Sequence, residues 1–183
     1  MPRNSFALFA AICLFSCSQK AEKQTRFVQY FNILPDMELP LYTNSHVDLI
    51  GSRVNEDTSF VEFKKDVFSI WGKQKINDSV YAIVSLYPGD NVLPILKTYD
   101  IRGKEISILH LLNIPGGSSG YDETGASHLE MDKQFNITIT DSVETFIRDT
   151  SVYESPVMEG SIKKSVIAKK YKVLTDGMIT EIH

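Results

Sequence analysis

The chain has 183 residues and a formal net charge of −4, from 19 basic and 23 acidic side chains. This length is typical of about one folded domain. Nucleic acid is excluded as an expected partner because the chain carries no long basic cluster, and the presence of only two cysteines excludes a disulfide-rich scaffold.

The N-terminus has the pattern of a secretory signal peptide. Arg3 provides a positive charge, and residues 6–15 form an uninterrupted apolar run. A membrane-spanning helix needs about 20 apolar residues, so this run is too short to be a permanent span. A positive start, a short apolar run and then a small residue, here Ser16, predict export and cleavage.

The tetrad Leu14-Phe15-Ser16-Cys17 resembles the lipobox of bacterial lipoproteins. The resemblance implies cleavage between Ser16 and Cys17 and lipidation of the Cys17 thiol, which would anchor the protein to a membrane. In this family an Asp directly after the cysteine often signals retention at the inner membrane. Ser18 at that position therefore implies the outer membrane of the cell envelope, with its periplasmic and surface faces both left open. The alternative is an ordinary secretory signal that happens to contain Cys13 and Cys17.

This interpretation divides the chain into three parts. Residues 1–16 are the signal peptide, residues 17–26 are the lipidated cysteine and a polar tether, and residues 27–183 are a single β-rich domain. The tether is predicted because SQKAEKQT, residues 18–25, cannot bury enough apolar surface to become ordered.

The first part of the domain is predicted to be extended. Pro35 and Pro40 lie in residues 27–44, where each removes an amide donor and disfavours helix for the residue before it. Because proline confines strands to sheet edges, this segment is expected to form an edge strand.

One short helix is predicted within residues 57–68. Ser59 stands three residues before Glu62, which is the spacing of a capping box. Phe60, Phe63 and Val67 recur at helical spacing. Two short strands are the alternative.

After residue 69 the pattern favours strands joined by tight turns. The run DSVYAIVSLY ends at the turn signal Pro88-Gly89-Asp90-Asn91, and LPILKTYDI and KEISILHLL flank Arg102-Gly103. Later, FNITIT leads through a turn at Asp141-Ser142 into VETFI, and Asp176-Gly177 joins the last two runs as a hairpin.

Sequential hairpins predict antiparallel neighbours, because parallel pairing would need long crossovers. The fold class is therefore mainly β: a twisted antiparallel meander of about seven or eight strands with one short helix, either an open barrel or a sandwich. The two hairpins TYDIRGKEISILHLL and KYKVLTDGMITEI also resemble a pattern of small exported lipoproteins of unknown function.

The segment Gly116-Gly117-Ser118-Ser119-Gly120 matches the G-x-S-x-G pattern of α/β-hydrolases, and Asp122, His128 and His183 follow it. That pattern needs a strand-to-helix turn over a parallel sheet, whereas Pro115 intervenes here and no βα units occur. No catalytic residue is therefore predicted, and a small serine hydrolase using the Gly116–Gly120 loop is the alternative.

The fifteen residues from Asn113 to Ser127 are predicted to form a long loop. Loops longer than roughly 12–15 residues tend to be functional or disordered. Tyr121, Asp122 and Glu123 combine an aromatic ring with two acids, which suits a carbohydrate or a cation. They are the candidate binding loop, with a mobile surface loop as the alternative.

Metal and cofactor sites are not predicted. The four histidines, His46, His110, His128 and His183, are scattered, and no metal-binding spacing is present. A second set of aromatic residues could line a sugar-stacking platform, although core packing is the favoured interpretation; these residues are Trp71, Tyr81, Tyr87 and Tyr99.

Two triplets, Asp78-Ser79-Val80 and Asp141-Ser142-Val143, resemble an acceptor pattern for O-glycans in one group of Gram-negative bacteria. Glycosylation would require Ser79 and Ser142 to be exposed. Plain turns into strands are the alternative.

Together these features predict a lipid-anchored protein of the cell envelope. Its expected role is that of a non-catalytic binding module for a protein partner or a glycan, because no convincing catalytic set accompanies the tethered β domain. The small serine hydrolase stays as the alternative.

Overall fold

The computed structural model describes residues 22–44, 58–63, 69–87, 93–112, 123–149, 151 and 157–182. These residues form an α-helix, α1, over residues 22–33, a 3-10 helix at Thr58–Phe63 and nine strands. The strands are β1 (Leu41–Asn44), β2 (Ser69–Lys75), β3 (Val80–Tyr87), β4 (Leu93–Asp100), β5 (Glu105–His110), β6 (Glu123–Met131), β7 (Asn136–Thr145), β8 (Lys163–Val173) and β9 (Ile179–Ile182).

The strands form two antiparallel sheets. The four-stranded sheet has the order β2-β3-β4-β5, and the five-stranded sheet has the order β1-β6-β7-β8-β9. The predicted mainly β antiparallel meander is confirmed, with nine strands in the described residues and two separate sheets. Of the two architectures left open by the sequence, the sandwich is the one observed.

The main core lies between the two sheets. Side chains alternate across a strand, and in β3 Ala82 and Val84 belong to this core while Tyr81 and Ile83 belong to a second cluster on the opposite face. The five-stranded sheet contributes a set of fully or almost fully buried apolar side chains from β6, β7 and β8: Leu129, Met131, Ile137, Ile139 and Val173.

Helix α1 covers the other face of the four-stranded sheet. Phe27, Tyr30, Phe31 and Leu34 recur at positions i, i+3, i+4 and i+7 and are buried there. The ring of Phe31 lies 4.7 Å from that of Tyr81, edge to face. This aromatic cluster makes the structure three layers deep.

The predicted extended conformation is therefore wrong for residues 27–33. Pro35 follows the helix and helps to end it, rather than preventing it. Residues 22–26, assigned to the tether, form the exposed first turns of α1. The lipidated cysteine and residues 1–21 lie outside the described residues, and the domain boundaries stay predictions.

Residues 35–44 agree better with the expectation of an edge strand. Among the described strands β1 pairs only with β6, which makes it an edge of the five-stranded sheet. The segment before it crosses the outer edge of β2: Met37 N–H donates to the Lys73 carbonyl (2.9 Å), and Lys73 N–H donates to the Pro35 carbonyl (2.8 Å).

The short helix predicted near residue 60 is present as a 3-10 helix, with a kink at Phe60 (φ −131°, ψ 34°). Phe60 and Phe63 place their rings 5.8 and 5.5 Å from that of Tyr30, so this helix extends the aromatic cluster. Val67 lies outside the described residues.

Two local predictions in the second half are wrong. Asp141-Ser142 is not a turn, because β7 runs continuously through both residues. Residues 123–127 are part of β6 rather than of a loop. By contrast, the hairpins at Gly103 (φ 74°) and Gly177 (φ 90°) are confirmed, and both glycines adopt the left-handed conformation that favours glycine.

No helix within the described ranges is both long enough and apolar enough to span a membrane.

Candidate binding groove

An open groove of about 950 Å³ lies where the two sheets meet segment 37–39. Four chain segments form its walls: residues 37–39, the end of β2 at residues 74–76, the β6–β7 turn and the β8–β9 hairpin. Binding sites for small molecules typically have volumes of about 300–1,000 Å³. Its apolar lining consists of Met37, Leu39, Ile76, Phe135, Val173 and Leu174.

The β6–β7 turn is shaped by the carboxylate of Asp132. Its Oδ1 accepts hydrogen bonds from the backbone N–H groups of Gln134 (2.8 Å) and Asn136 (2.9 Å), and Oδ2 accepts one from the Asn136 side chain (2.7 Å). Partial desolvation raises the pKa of Asp132, but these hydrogen bonds and the charge of Lys172 outweigh it, so its pKa is lowered overall. The turn is held by an ionised carboxylate at neutral pH.

Phe135 has a strained backbone within this turn. Its φ is 58°, in the left-handed region, where a bulky residue is a genuine outlier. Such strain persists only where the surrounding structure determines it, and it clusters at functional sites. The conformation places the Phe135 side chain in the core and along the groove.

The β8–β9 hairpin forms the facing wall and is fastened to the four-stranded sheet. Thr98 Oγ1 donates to the Gly177 carbonyl (2.6 Å), and Asn77 Nδ2 donates to the Thr175 carbonyl (2.7 Å). A Cβ at Gly177 would lie 2.7 Å from Ile106 Cδ1. The hairpin therefore approaches this sheet as closely as glycine allows.

The third wall depends on a close approach between Gly72 and Met37. A Cβ at Gly72 would lie 2.6 Å from the Met37 Cβ. Gln74 Nε2 also donates to the Met37 carbonyl, which holds the segment against β2. Lys73 is buried beneath it and donates from Nζ to the Asn32 carbonyl (2.8 Å), so the same strand is also tied to the end of α1.

The polar lining of the groove has more positive than negative charges: Lys75, Lys133 and Lys172 face Glu38 and Asp176. Lys75 is already paired with Asp78 at 2.8 Å. In the part of the chain that the structure describes, Lys133 and Lys172 have no carboxylate within 4.0 Å. Two lysines thus lie beside an apolar surface without a salt bridge, although the charge of Lys172 also acts on Asp132.

Most of the residues that the sequence singled out lie outside the described residues. These are Ser16, Cys17, the Gly116–Gly120 loop with Ser118, Tyr121, Asp122, His46 and His183. Of the candidate binding loop, only the backbone of Glu123 is described, as the first residue of β6. The lipidation site and the candidate loop stay predictions.

The two described histidines are exposed on separate sheets. His110 ends β5, and His128 lies on β6 with Nε2 3.3 Å from Glu130 Oε1. Over the described ranges, no three His, Cys, Asp or Glu side chains are grouped so as to hold a metal ion.

The aromatic residues considered for a sugar platform lie in the cores. Trp71 packs against the core between the sheets, and Tyr81 and Tyr99 belong to the cluster beneath α1. The side chain of Tyr87 lies outside the part of the chain that the structure describes. The core interpretation is therefore confirmed for Trp71, Tyr81 and Tyr99.

The two serines of the glycan-acceptor triplets differ in exposure. Ser79 is exposed between β2 and β3, whereas Ser142 is partly buried in β7, where its hydroxyl lies 3.3 Å from the Ala126 carbonyl. Glycosylation at either serine stays a prediction.

Sequence reasoning missed the groove altogether. The one local signal was a polar turn, Asp132-Lys133-Gln134, between two apolar runs. Nothing local indicates that this turn meets residues 37–39 and 172–176.

Comparison with protein-family models, with curated proteins and with solved structures finds no significant match to this chain. Its function has to be argued from the groove and the surfaces around it.

Proposed function

We propose that this protein is a non-catalytic binding module of the cell envelope that takes an acidic saccharide into the groove. The observation that carries the proposal is the pairing of an apolar lining with two lysines, Lys133 and Lys172, that have no carboxylate within 4.0 Å among the described residues. A saccharide places C–H faces on apolar side chains, and its carboxylate or phosphate groups pair with lysine.

The size of the groove supports a small ligand over a docked protein. Specific protein interfaces bury about 800 Å² on each partner and are spread over 20–30 residues. Here the lining is concave and formed by fourteen residues. A peptide that inserts a single acidic side chain is the competing ligand, and binding measurements with an acidic saccharide and an acidic peptide distinguish these two ligands.

The groove's composition supports binding rather than catalysis by a Ser–His or Cys–His pair. Its described lining contains no histidine, cysteine or serine, which supply most nucleophiles and their bases. Of its two carboxylates, Asp176 accepts a hydrogen bond from the Met178 N–H (2.9 Å) within the hairpin. That bond gives Asp176 a structural role.

The cellular part of the proposal rests on the tetrad Leu14-Phe15-Ser16-Cys17. Acyl chains on Cys17 would hold the domain at the outer membrane, since two or more chains give stable anchoring. A Cys17→Ser variant should lose labelled palmitate and leave the membrane fraction. Retention in that fraction would contradict the anchor without bearing on the groove.

The ligand is tested by titration calorimetry with a uronic-acid oligosaccharide and a neutral oligosaccharide of equal length. The acidic one should bind, and the neutral one should bind about tenfold or more weakly, a difference of about 1.4 kcal/mol. Raising the salt concentration should weaken only the acidic complex.

Two lysine variants test whether the acidic saccharide binds in the groove. Lys133→Ala and Lys172→Ala should each weaken the acidic saccharide by about fivefold to tenfold, in the range expected for a charged hydrogen bond. Lys104→Ala is the matched control, because Lys104 is exposed in the β4–β5 turn and is not part of the lining. Equal losses in all three variants, or binding of an acidic peptide in place of the saccharide, would overturn the proposal.

A further inference from the structure

The outer edge of β8 is open over most of the strand. β9 pairs only with residues Lys170–Val173, and within the described ranges no strand lies beside residues 163–169 on that side. Strand edges that lack a neighbour present unpaired N–H and C=O groups to any extended chain.

The hydrogen bonds at the end of β8 show which groups point outward. Val173 N–H donates to Phe135 of the β7 side, and Leu174 N–H donates to Met178 of the β9 side. Because these directions alternate along an antiparallel strand, the even-numbered residues face outward. Lys164, Val166 and Ala168 therefore offer their backbone groups at the open edge, which continues the ladder formed by β9.

The side chains of this edge follow a symmetric pattern. Residues 163–170 read KKSVIAKK, with two lysines at each end and Val166 and Ile167 in the centre. Val166 and Ile167 are 59% and 56% exposed and lie on opposite faces of the sheet. Lys164 pairs with Glu144 at 3.0 Å, whereas the other three lysines have no carboxylate within 4.0 Å among the described residues.

We propose that this β8 edge, residues 163–169, docks an extended segment of another protein as an added strand. The charges select the partner: its segment carries acidic residues opposite Lys163, Lys164 and Lys169 and two apolar residues opposite Val166 and Ile167. Backbone hydrogen bonds to an edge strand provide affinity in this mode of recognition, and alternate side chains provide specificity.

A second copy of this chain is the competing occupant, and the charges oppose it. Residues directly opposite each other in an antiparallel pair turn their backbone groups the same way, so two copies of this edge can pair only even with even and odd with odd positions. Self-pairing centred on Val166 would place Lys163 of each copy opposite Lys169 of the other. Like charges directly opposite each other destabilise a strand pair, and edge lysines are a known means of preventing self-association. The same lysines attract an acidic strand.

The proposal is independent of the groove ligand. The open β8 edge ends at Lys169, because Lys170 pairs with Ile182 of β9, and the part of β8 that lines the groove begins at Lys172. Loss of saccharide binding in the groove variants would leave docking at the β8 edge unaffected, and the reverse also holds.

The probe is a fluorescein-labelled peptide, Glu-Thr-Val-Val-Thr-Glu-Glu, titrated with the full chain and followed by fluorescence anisotropy. Saturable binding is expected. Ala168→Pro removes one outward N–H without touching the β7 ladder, and proline is tolerated at such edge positions. It should weaken binding about tenfold or more, whereas the control Ala168→Val, which keeps the N–H, should bind like the wild type.

A charge exchange tests the selectivity of the β8 edge. Lys163→Glu combined with Lys169→Glu should weaken the acidic peptide about tenfold, and a peptide with Lys in place of each Glu should bind this double variant better than the wild type. No saturable binding to the wild type, equal binding by Ala168→Pro, or concentration-dependent dimers in sedimentation that Ala168→Pro abolishes would each overturn the proposal.

Discussion

Gly72 lies where segment 35–37 crosses the edge of β2, and replacing it by alanine tests how closely the two backbones approach. The added Cβ would lie 2.6 Å from the Met37 Cβ and 2.9 Å from its Cα. Carbon atoms in contact are normally about 3.5–4.0 Å apart, so the segment has to move by about 1 Å. Because one of the clashing atoms belongs to the backbone, rotation of a side chain cannot relieve the contact.

The expected cost has two parts. Overpacking typically destabilises by about 1–3 kcal/mol. The movement also strains the hydrogen bonds Met37 N–H to Lys73 O (2.9 Å) and Lys73 N–H to Pro35 O (2.8 Å), each of which contributes about 0.5–1.5 kcal/mol. Gly72→Ala should therefore lower the free energy of unfolding by about 2–6 kcal/mol, the upper end applying if both hydrogen bonds are lost.

Urea unfolding followed by circular dichroism and by Trp71 fluorescence measures this change. Gly160→Ala is the control, because a Cβ there has no atom within 4 Å. Its only cost is the strain of a side chain at a positive φ of 74°, which lowers the free energy of unfolding by about 1–2 kcal/mol. If Gly72→Ala lowers the free energy of unfolding no more than Gly160→Ala does, the backbones of Gly72 and Met37 do not lie in close contact, and this prediction is refuted. Saccharide binding should weaken with stability, since Met37 and Leu39 line the groove.

Two further predictions concern pH. Burial raises the pKa of Tyr30 from 10.0 to about 12 in the folded protein. The folded state therefore favours the neutral phenol, and this contribution of about 2–3 kcal/mol is fully present below the pKa that Tyr30 has in the unfolded chain. It is lost as the pH rises through the pKa of the folded state. Tyr30→Phe should shift the alkaline unfolding midpoint upward in circular dichroism, and an unchanged midpoint would contradict the assignment. The pKa of Asp132 is lowered from 3.8, so its contribution is present above that value and is lost as the pH falls through the folded pKa. At neutral pH the Asp132→Asn variant should be less stable than the wild type by about 1 kcal/mol. On acidification to about pH 3 it should lose less stability than the wild type, as measured by urea titrations of the two proteins. Equal losses of stability in the variant and the wild type would refute this.

Local sequence was sufficient where neighbouring residues decide the conformation. The β-branched and apolar run before residue 87 forms β3, and the glycines at positions 103 and 177 close hairpins, because few other residues adopt a positive φ. The fold class follows from these hairpins, since short turns permit only antiparallel pairing.

Where two local signals conflicted, the sequence interpretation went wrong. Phe27, Tyr30 and Phe31 have helical spacing, yet the nearby prolines favoured an extended segment. The aromatic cluster beneath α1 decided for the helix, because it buries Phe27 and Phe31 against Tyr81, and Tyr30 against Phe60 and Phe63. In β7, Asp141 resembled a turn residue, but its carboxylate accepts a hydrogen bond from the Ser127 hydroxyl (2.5 Å), which allows the strand to continue.

The sequence by itself was enough for the antiparallel strands and for the tight turns at Gly103 and Gly177, because each depends on residues within a few positions of one another. The lipid anchor stays a prediction from a similarly local pattern. Only the tertiary structure decided the groove and the open β8 edge. The groove joins Met37, Phe135 and Leu174, which are far apart along the chain, and the β8 edge exists because β9 pairs with only part of its neighbour. Contacts between such distant segments depend on how the two sheets pack, and no local pattern encodes that packing.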